Sequence, residues 1–593
     1  MFENINNEKD IQRIEIQVFI AGAGPSGLTT AALLAKSDID VLAVSMHPGT
    51  ANSPRAHITN LRAMEVFRDL GIEEKIYEIG STIEMSNAIW CTSLAGKELG
   101  RISSWGKGDD RLSDYLKASP STTCNAPQHV MEPILLDTAI ESGARVLFNC
   151  EVLSVKQSQD KVFALIFNHE NNEHLIIESE YIVGADGARS VTAKDSGFDF
   201  EGEMGKAHAV NCWFDADLTK YCEDRPAVIW PTLQPGNDDW IGGGTFVCVS
   251  PWKDWVLLFM YDPDNEENET SEKACSARIN KLIGEDVDLN IKAVSKWTIN
   301  SMYAKSLVKD RVIIMGDAAH RHPPAGGLGT NTCVQDAFNL AWKLALIVKG
   351  KAGSKLLESY SEERQPVAKQ MVSRAITAMK GMQAVPQALG FRPGQSEKEA
   401  WAVVDKFESG SEEGKEVRKK FREALDLQNW QFNGLGGEAG HHYQKSSAVV
   451  SDGAKPVYHA ENEQLNLYPT TTPGSSIPHA WLQFEGKKVS TLDLVGKGVF
   501  TVFTGVGGEG WLECVSKLSE SLGIEINAVQ VTVDGELTDH YGTWADSREI
   551  EDDGCLIVRP DRFVAYRSKK MVLNPSKELR KAFSQILDLP ISF

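Results

Sequence analysis

Residues 18–35 read Val-Phe-Ile-Ala-Gly-Ala-Gly-Pro-Ser-Gly-Leu-Thr-Thr-Ala-Ala-Leu-Leu-Ala, which is an apolar strand, a glycine-rich turn and a helix-favouring run. In such a turn Gly22 permits the tight bend, and Gly24 lets the backbone approach a pyrophosphate. Gly27 allows the helix to pack closely on the strand, and the helix N-terminus attracts the anion. The spacing and its position between strand and helix predict a βαβ unit that binds a dinucleotide.

The second strand of this unit lacks the acidic residue that usually follows it. Residues 41–44 are short and apolar, and Ser45 occupies the position where a carboxylate would hold a ribose. A serine hydroxyl also bonds a ribose, although less strongly than a charged carboxylate does. The residues expected to contact the dinucleotide here are Gly22, Gly24, Pro25, Ser26, Gly27 and Ser45.

Length and composition narrow the class of protein. The 593 residues exceed the size of one ordinary core, so several domains are expected, and the net charge of −21 argues against a nucleic-acid binder. The ten cysteines are scattered without a CxxC pair, which indicates free thiols in a reducing compartment. No segment has the apolar length of a membrane span or the form of a signal peptide, so the expected location is the cytoplasm.

Two later apolar strands also run into turns that contain aspartate. Residues 181–185 lead into Gly184-Ala-Asp-Gly-Ala-Arg-Ser190, and residues 311–315 lead into Gly316-Asp-Ala-Ala-His320 and then Pro324-Ala-Gly-Gly-Leu-Gly-Thr-Asn331. Alone, an aspartate–glycine turn can end any strand. In this order after the glycine-rich turn, the motifs together are specific.

These three motifs resemble the single-component FAD-dependent aromatic hydroxylases, the group of p-hydroxybenzoate hydroxylase and phenol hydroxylase. The resemblance extends over nearly the whole chain and is closest to the 2,4-dichlorophenol 6-monooxygenase branch; it includes residues 53–65, 128–135, 320–329, 339–343 and 507–511. One departure is Ala193, which stands where the family usually has an arginine three residues after Ser190.

The resemblance and the order of elements imply an α/β fold with an FAD/NAD(P)-binding βαβ domain, a β-sheet substrate domain and a C-terminal thioredoxin-like domain. The expected boundaries are 1–200 with 301–390 for the FAD domain, 201–300 for the substrate domain, 391–450 for a connecting segment and 451–593 for the thioredoxin-like domain. Helices are predicted at residues 331–349 and about 359–383. Because the last domain lacks CxxC, packing or oligomerisation is its expected use.

By the same resemblance, FAD is the bound cofactor, and NADPH or NADH is a transient co-substrate. Asp317 and its neighbours would bind the ribityl chain and pyrophosphate, and the backbone from Pro324 to Gly329 would border the flavin ring. The amides of the following helix N-terminus would stabilise negative charge on the reduced flavin. The further cofactor-binding residues expected are Arg55, Gln128, Asp186, Gly187, Gly316, Asp317, Pro324, Gly327, Leu328, Gly329 and Asn331.

The activity that the resemblance implies is hydroxylation of a phenol, expected to be chlorinated, with NAD(P)H and O2. A flavin C4a-hydroperoxide would attack the ring ortho to the phenol oxygen and leave a catechol. The family also implies a homo-oligomer, with neither nucleic acid nor membrane as partner. Two alternatives stay open: a larger polyphenol or polyketide as substrate, and a non-enzymatic, colourless binding protein on the same fold.

Two catalytic candidates stand beside the expected flavin ring. His57 occupies the place where the phenol-hydroxylase branch carries an active-site acid, and an imidazole titrates in the right range to accept a phenol proton. The alternative for His57 is a histidine buried in a core or touching the flavin. Pro324 is the second candidate.

Aromatic and histidine side chains supply the remaining candidates. Trp230, Trp297 and Tyr303 are expected to line the ring pocket, although aromatic residues in a β-rich domain are more often core. His320 and His322 lie two residues apart without a third ligand, so no metal site is predicted.

Overall fold

The computed structural model of the protein describes residues 11–80, 87–236, 243–443, 445–454 and 463–590. The strands of these residues are β1 (Gln12–Ala21), β2 (Val41–Val44), β3 (Ile58–Thr59), β4 (Asn87–Cys91), β5 (Glu98–Ser103), β6 (Cys124–Asn125), β7 (Arg145–Leu147), β8 (Cys150–Gln157), β9 (Val162–Asn168), β10 (Glu173–Gly184), β11 (Phe200–Asp215), β12 (Ile229–Leu233), β13 (Gly243–Ser250), β14 (Asp254–Tyr261), β15 (Asn290–Ala304), β16 (Val308–Lys309), β17 (Val312–Ile314), β18 (His320–Arg321), β19 (Trp481–Phe484), β20 (Lys487–Ser490), β21 (Phe500–Thr504), β22 (Ile526–Gln530), β23 (Leu537–Thr538), β24 (Cys555–Val558) and β25 (Val564–Ser568). The α-helices are α1 (Pro25–Lys36), α2 (Leu61–Leu70), α3 (Glu73–Ile79), α4 (Leu112–Ala118), α5 (Gln128–Glu141), α6 (Val191–Asp195), α7 (Thr219–Cys222), α8 (Glu266–Thr270), α9 (Glu272–Ile283), α10 (Gly329–Val348), α11 (Glu358–Met382), α12 (Ala384–Leu389), α13 (Glu397–Glu408), α14 (Glu412–Asp426), α15 (Asn429–Phe432), α16 (Leu435–Ala439), α17 (Glu509–Leu522), α18 (Thr543–Ser547) and α19 (Pro575–Ile586).

The first sheet carries the glycine-rich turn. Its parallel strands lie in the order β17, β10, β1, β2 and β7, and β8, β9 and β16 extend it with antiparallel pairs. Helix α1 packs between α5 and α10, and β2 is buried along its whole length, as a parallel strand under helices requires. Because β1, β10 and β17 are neighbours and run the same way, their three motif-bearing turns lie at one edge of the sheet.

The second sheet has the order β18, β15, β11, β14, β13, β12, β4 and β5. Neighbouring strands of this sheet pair antiparallel, except for β4 and β12, which pair in parallel. The predicted boundaries, 201–300 for this domain, leave out β4, β5 and β18. These strands join the sheet because residues 88–91 are wholly buried and because β18 continues the ladder of β15.

Two long helices match the predicted segments, since α10 and α11 span residues 329–348 and 358–382. The segment interpreted as a connection, residues 391–450, contains α13 to α16. Helix α14 is amphipathic, and it buries Phe421 and Leu425 against Gly100 of β5. The connection therefore covers the edge of the second sheet.

The C-terminal domain is thioredoxin-like. Strands β21 and β22 pair in parallel across α17, while β24 and β25 form an antiparallel hairpin that α19 follows. Residues 507–510 lead into α17 where a thioredoxin would carry its cysteine pair, and Cys514 is the nearest thiol. All ten cysteines are free, and Cys514 is the one that is not fully buried.

A tight turn between β24 and β25 joins this domain to helices α11 and α2 of the FAD domain. Arg559 pairs with Glu363 of α11 at 2.5 Å, and Arg562 pairs with Asp69 of α2 at 3.1 Å. All four side chains are nearly inaccessible to solvent. Charges buried this deeply must stay paired, so these ion pairs fix the position of the C-terminal domain against the two helices.

Candidate active site

The glycine-rich turn leaves open space at only one of its three glycines. A Cβ atom on Gly22 would lie 2.1 Å from the Ala185 carbonyl oxygen, and one on Gly27 would lie 1.9 Å from that of Gly22. Among the described residues, a Cβ on Gly24 would meet no atom nearer than Oε1 of Glu132, at 4.0 Å. Gly22 and Gly27 are therefore needed by the fold, whereas the space at Gly24 suits the close approach of a pyrophosphate.

Two helix N-termini end at this edge without a side-chain cap. Helix α1 begins at Pro25 and α10 begins at Gly329, and neither has a side chain that accepts from its first amides. These free N–H groups and the helix dipoles favour an anion. The donor set thus fits the phosphates of FAD at α1 and a negatively charged flavin ring at α10.

A buried network of hydrogen bonds from α10 and α11 holds the Gly316–Asp317 turn in place. Asp336 of α10 accepts from the Gly316 N–H at 3.2 Å and bonds His320 Nε2 at 2.8 Å. Arg364 of α11 donates to the other oxygen of Asp336 at 2.7 Å. Asp317 itself is exposed at the edge of the sheet, where its carboxylate faces solvent and suits the hydroxyls of a ribityl chain.

The second turn uses its aspartate inside the protein. Asp186 accepts from the Ser190 hydroxyl and from the Thr192 N–H, the latter at 3.0 Å, and so stabilises the start of α6. Gly187 has φ of +73°, with open space where a side chain would project. The proposed contribution of Asp186 to the cofactor is therefore to shape the turn.

A loop between β2 and β3 brings Arg55 and His57 to the same edge. Glu132 of α5 accepts from the Ala51 N–H at 2.5 Å and from the Gln128 side chain, and the Gln128 N–H donates to the Arg55 carbonyl oxygen at 2.9 Å. The Arg55 side chain is exposed. Ser45 lies at the start of this loop and accepts from the His47 N–H at 3.2 Å.

Asn331 locks that loop to the segment expected to border the flavin ring. Its amide donates to the carbonyl oxygens of Ile58 at 2.8 Å and Gly327 at 2.6 Å, and its oxygen accepts from the Asn60 N–H at 2.9 Å. Both amide hydrogens and one lone pair of the amide oxygen are thereby used within the protein. Its proposed role changes from direct cofactor contact to positioning, with only the backbone N–H left for the cofactor.

The segment from Pro324 to Gly329 lies against the chain next to His57. A Cβ on Gly327 would stand 3.1 Å from Cβ of Ile58, the next residue after His57. Pro324 is exposed, and its carbonyl oxygen accepts from the Gly327 N–H at 3.2 Å. Leu328 is buried and its carbonyl oxygen starts the hydrogen bonds of α10.

His57 is half-buried, and its Nδ1 is inaccessible to solvent and has no hydrogen-bond partner among the described residues. Desolvation, together with a smaller effect of the nearby His129, lowers the pKa of His57 to about 3. This corrects the expectation that His57 titrates near neutral pH. Its ring is a neutral hydrogen-bonding group throughout the physiological range.

Of the three aromatic candidates, Trp230 faces away from His57. Its strand pairs it with Phe246 and, through Phe246, with Leu257, so these side chains share one face of the second sheet. Gly244 lies on that face and is in contact range of Leu282 of α9. Trp230 is fully buried there and is a core residue.

Trp297 lies on the opposite face, and Tyr303 lies at its exposed end. The indole of Trp297 donates to Asn211 at 3.2 Å, and both residues are on the face that α5 approaches. The Tyr303 hydroxyl is bonded to Glu201 at the surface. Tyr303 is therefore not brought together with His57, because its hydroxyl is held toward solvent.

Sequence reasoning missed His129 and Trp213. Their rings lie 5.8 Å apart, and Nδ1 of His129 is buried without a partner in the described ranges. Trp213 is held by Asp254, which accepts from its indole at 2.6 Å, and Lys292 lies over the ring. The signal was the position of His129 beside Gln128, but only the pairing of β11 shows which face Trp213 takes.

The parts of the chain that the structure describes contain neither a candidate metal centre nor a candidate membrane span. In those ranges no group of three or more His, Cys, Asp and Glu side chains could hold a metal ion. His320 bonds Asp336, and His322 bonds the carbonyl oxygen of Pro323 at 2.8 Å. None of the helices in the same ranges has the length and apolarity to cross a membrane.

Comparison with known proteins agrees with this geometry. Residues 15–375 match the family model described as FAD binding domain, and residues 470–590 match that described as aromatic-ring hydroxylase, C-terminal. A 2,4-dichlorophenol 6-monooxygenase of Delftia acidovorans is 39% identical over 97% of this chain and 99% of its own. A phenol 2-monooxygenase of Pseudomonas sp. (strain EST1001) is 38% identical over 97% of this chain and 93% of its own.

A solved structure supports the same grouping. The flavin-dependent monooxygenase PieE, in complex with FAD and substrate, superposes with a TM-score of 0.93 at 38% identity. The match covers 97% of this chain and the whole of the other. The glycine turn, the uncapped helices and the Asp317 edge therefore fit the cofactor that this relative holds.

Gly24→Ala is expected to weaken FAD binding at least tenfold while the apoprotein keeps its melting temperature within about 2 °C. The added methyl group occupies the space for the pyrophosphate and touches no protein backbone. Titration of apoprotein with FAD and thermal melting measure the two effects. Gly27→Ala is the contrast, because its clash with Gly22 lowers the melting temperature itself; equal melting losses in both variants would contradict the assignment of Gly24.

The protein is expected to lose stability as the pH falls from about 6.5 to 5, above the range of ordinary carboxylates. Burial lowers the pKa of His57 to about 3 and those of His442 and His479 to about 4. Between these pH values the histidines of the unfolded chain bind protons, whereas the same histidines in the folded chain stay neutral. The free energy of unfolding therefore decreases as the pH falls. Each such histidine contributes a slope of up to about 1.4 kcal/mol per pH unit.

Melting temperatures across that window test the effect. His479→Gln removes one titrating group and should flatten the pH dependence, because its Nδ1 bonds only Ser490. A flat profile in the parent protein between the same limits would show that these histidines are protonated as readily in the folded state.

Proposed function

The chain belongs to the FAD-dependent aromatic-ring hydroxylases, and we propose that it hydroxylates a neutral, chlorinated phenol ortho to its oxygen to form a catechol. It is an NAD(P)H-dependent monooxygenase, as the phenol and dichlorophenol enzymes to which it is similar are. Bound FAD supplies the electron transfer from NAD(P)H and the activation of O2. The residues of the chain supply binding, orientation and exclusion of water.

The unpaired imidazole of His57, beside the Gly327 segment, carries the proposal for the substrate site. A buried polar atom without a partner is costly unless a ligand or water completes it. His129 presents a second such atom close by, and Trp213 and Trp297 offer apolar ring surface on the facing sheet. This combination suits a flat aromatic ring with one hydroxyl group.

His57 acts in this proposal as a neutral acceptor for the phenol hydroxyl. Because burial keeps its pKa near 3, the ring does not take up a full proton in the resting site. An accepted hydrogen bond still shifts electron density into the phenol ring and fixes which carbon faces the flavin. A phenolate that develops beside it raises the basicity of the imidazole as the ring is attacked.

The charge around the site supports a phenol without a carboxylate group. Lys292, the cation over the Trp213 ring, is bound to Asp215 at 2.6 Å and Asp254 at 3.2 Å. Its charge is thereby compensated and does not favour an anionic substituent. Relatives that are polyketide hydroxylases are more distant than the phenol enzymes, which favours the phenol over a larger ring.

We further propose that the enzyme works in the cytoplasm as a homo-oligomer, without a nucleic-acid or membrane partner. The net charge of −21 disfavours binding to phosphate backbones, and the absence of a CxxC pair leaves the thioredoxin-like domain available for packing. Light scattering of the purified protein tests the oligomer directly.

The direct test of the function is an aerobic assay of purified holoenzyme with NADPH and with NADH. 2,4-Dichlorophenol is expected to stimulate oxidation of the reduced nicotinamide and to give a catechol. Phenol and a larger resorcinol serve as comparison substrates. Peroxide as the sole product with every small phenol, together with efficient hydroxylation of the resorcinol, would overturn the substrate proposal.

His57→Gln is expected to lower kcat by about 10²-fold or more, because the phenol hydroxyl loses its acceptor. FAD affinity should stay at the parental value, since the proposed FAD-binding residues are unchanged. His174→Gln, an exposed substitution on β10, is the matched control and should leave turnover unchanged. Near-normal turnover of His57→Gln across about pH 6–9 would remove His57 from the mechanism.

A further inference from the structure

The turn between β24 and β25 is buried although it joins two domains. It reads Arg559-Pro-Asp-Arg562, and its three charged side chains are each at most 2% exposed. Arg559 donates to both oxygens of Asp561 within the turn itself. The two arginines then reach different helices of the FAD domain.

The first contact leads to α10 and α11. The Arg559 guanidinium donates to the two oxygens of Glu363 at 2.5 and 2.8 Å. Lys343 of α10 pairs with the same carboxylate at 2.6 Å, and Asn339 bridges Glu363 and Asp561. A bidentate pair of this kind fixes both the distance and the angle between its elements.

The next residue on α11 continues toward the cofactor edge. Arg364 follows Glu363 and donates to Asp336, which holds the N–H of Gly316. Successive residues on a helix point in directions about 100° apart. One turn of α11 therefore contacts both the C-terminal domain and Asp336, which holds the Gly316 turn. Arg559 is thus linked to the Gly316–Asp317 turn through one rigid stretch of helix.

The second contact leads to the loop that carries His57. Arg562 pairs with Asp69 at 3.1 Å and donates to the Glu65 carbonyl oxygen at 2.9 Å, both on α2. Helix α2 begins after Asn60, whose side chain caps it and whose N–H is bound by Asn331. The same turn therefore fixes the helix on which the substrate-side loop ends.

We propose that the Arg559–Arg562 turn is a positioning element of the flavin site, through which the thioredoxin-like domain retains FAD. Within the described contacts its two arginines and Lys343 balance the carboxylates of Asp561, Glu363 and Asp69. Loss of Arg559 leaves Asp561 without a cation and Glu363 with Lys343 alone, so the turn and α11 must shift or admit water. The Gly316 turn shifts with it. The inference rests on the proposed placement of FAD at Gly316–Asp317.

The test compares Arg559→Met and Arg559→Lys with Arg567→Met. Arg567 is a matched control, because it is 6% exposed and pairs with Asp452 and Glu549 without reaching the FAD domain. Lysine keeps the charge of Arg559 but loses its planar fork, so this variant preserves the fold where methionine does not. Thermal melting and titration of each full-length apoprotein with FAD give stability and affinity separately.

Both Arg559 variants are expected to bind FAD at least tenfold more weakly than the parent. Arg567→Met should melt at a lower temperature but keep its FAD dissociation constant within twofold. Parental FAD affinity in the Arg559 variants overturns the inference. An equal loss of affinity in Arg567→Met also overturns it, because general destabilisation then explains the effect.

Asp317→Ala separates this inference from the placement of the flavin. Weak FAD binding in Asp317→Ala together with parental binding in the Arg559 variants overturns the inference alone. Parental binding in Asp317→Ala overturns the placement at this turn and the inference with it. Weak binding in both confirms the path from the C-terminal domain to the cofactor.

Discussion

The close approach of β1 to β10 is the constraint on which the site depends. Ala21 pairs with Gly184, and the chain then bends at Gly22 so near to the Ala185 carbonyl oxygen that any side chain there would collide with it. This contact lets the two strands end together, and the pairing of β10 with β17 adds the third end. Parallel pairing thus gathers three turns that are far apart in sequence at one edge.

Buried charge fixes what backbone pairing leaves free. Sheets and helices of the FAD domain can slide by small amounts, but a carboxylate in a dry interior tolerates little displacement from its cation. Glu363 and Arg364 are neighbours of opposite charge on α11, and each is fully enclosed. Their partners lie on different sides of the helix, so its rotation and translation are both determined. The same contacts thereby fix the position of Asp336 and of the Gly316 turn that it holds.

Local patterns in the sequence predicted the FAD domain well and the substrate side less well. The three motifs and the spans of α10 and α11 follow from short-range spacing, which the chain expresses wherever it folds. The membership of β4 and β5 in the second sheet follows from long-range pairing, which has no local signature. The face taken by Trp230 depends on its register with Phe246, because a shift of one residue reverses every side chain.

The environment of single side chains was harder still to predict. Asn331 has the residue type and position of a cofactor ligand, yet its amide already bonds three protein groups. The pKa of His57 depends on burial by elements distant in sequence, and so does the identity of its neighbour His129. The motifs therefore predicted which edge of the sheet faces the cofactor, while packing decides which atoms there remain unpaired.

The burial of the thiols bears on how well the protein withstands chemical damage during turnover. A catechol oxidises readily to an o-quinone, which is an electrophile that adds to thiolates. An oxygenase that consumes O2 without hydroxylating its substrate releases peroxide, and peroxide oxidises thiolates. Nine of the ten cysteines are buried, and burial raises the pKa of Cys91 and of Cys222 to about 12. Such thiols are neither ionised nor accessible at neutral pH. Under the proposed function, in which the product is a catechol, this burial protects the thiols from alkylation by the quinone that forms from it.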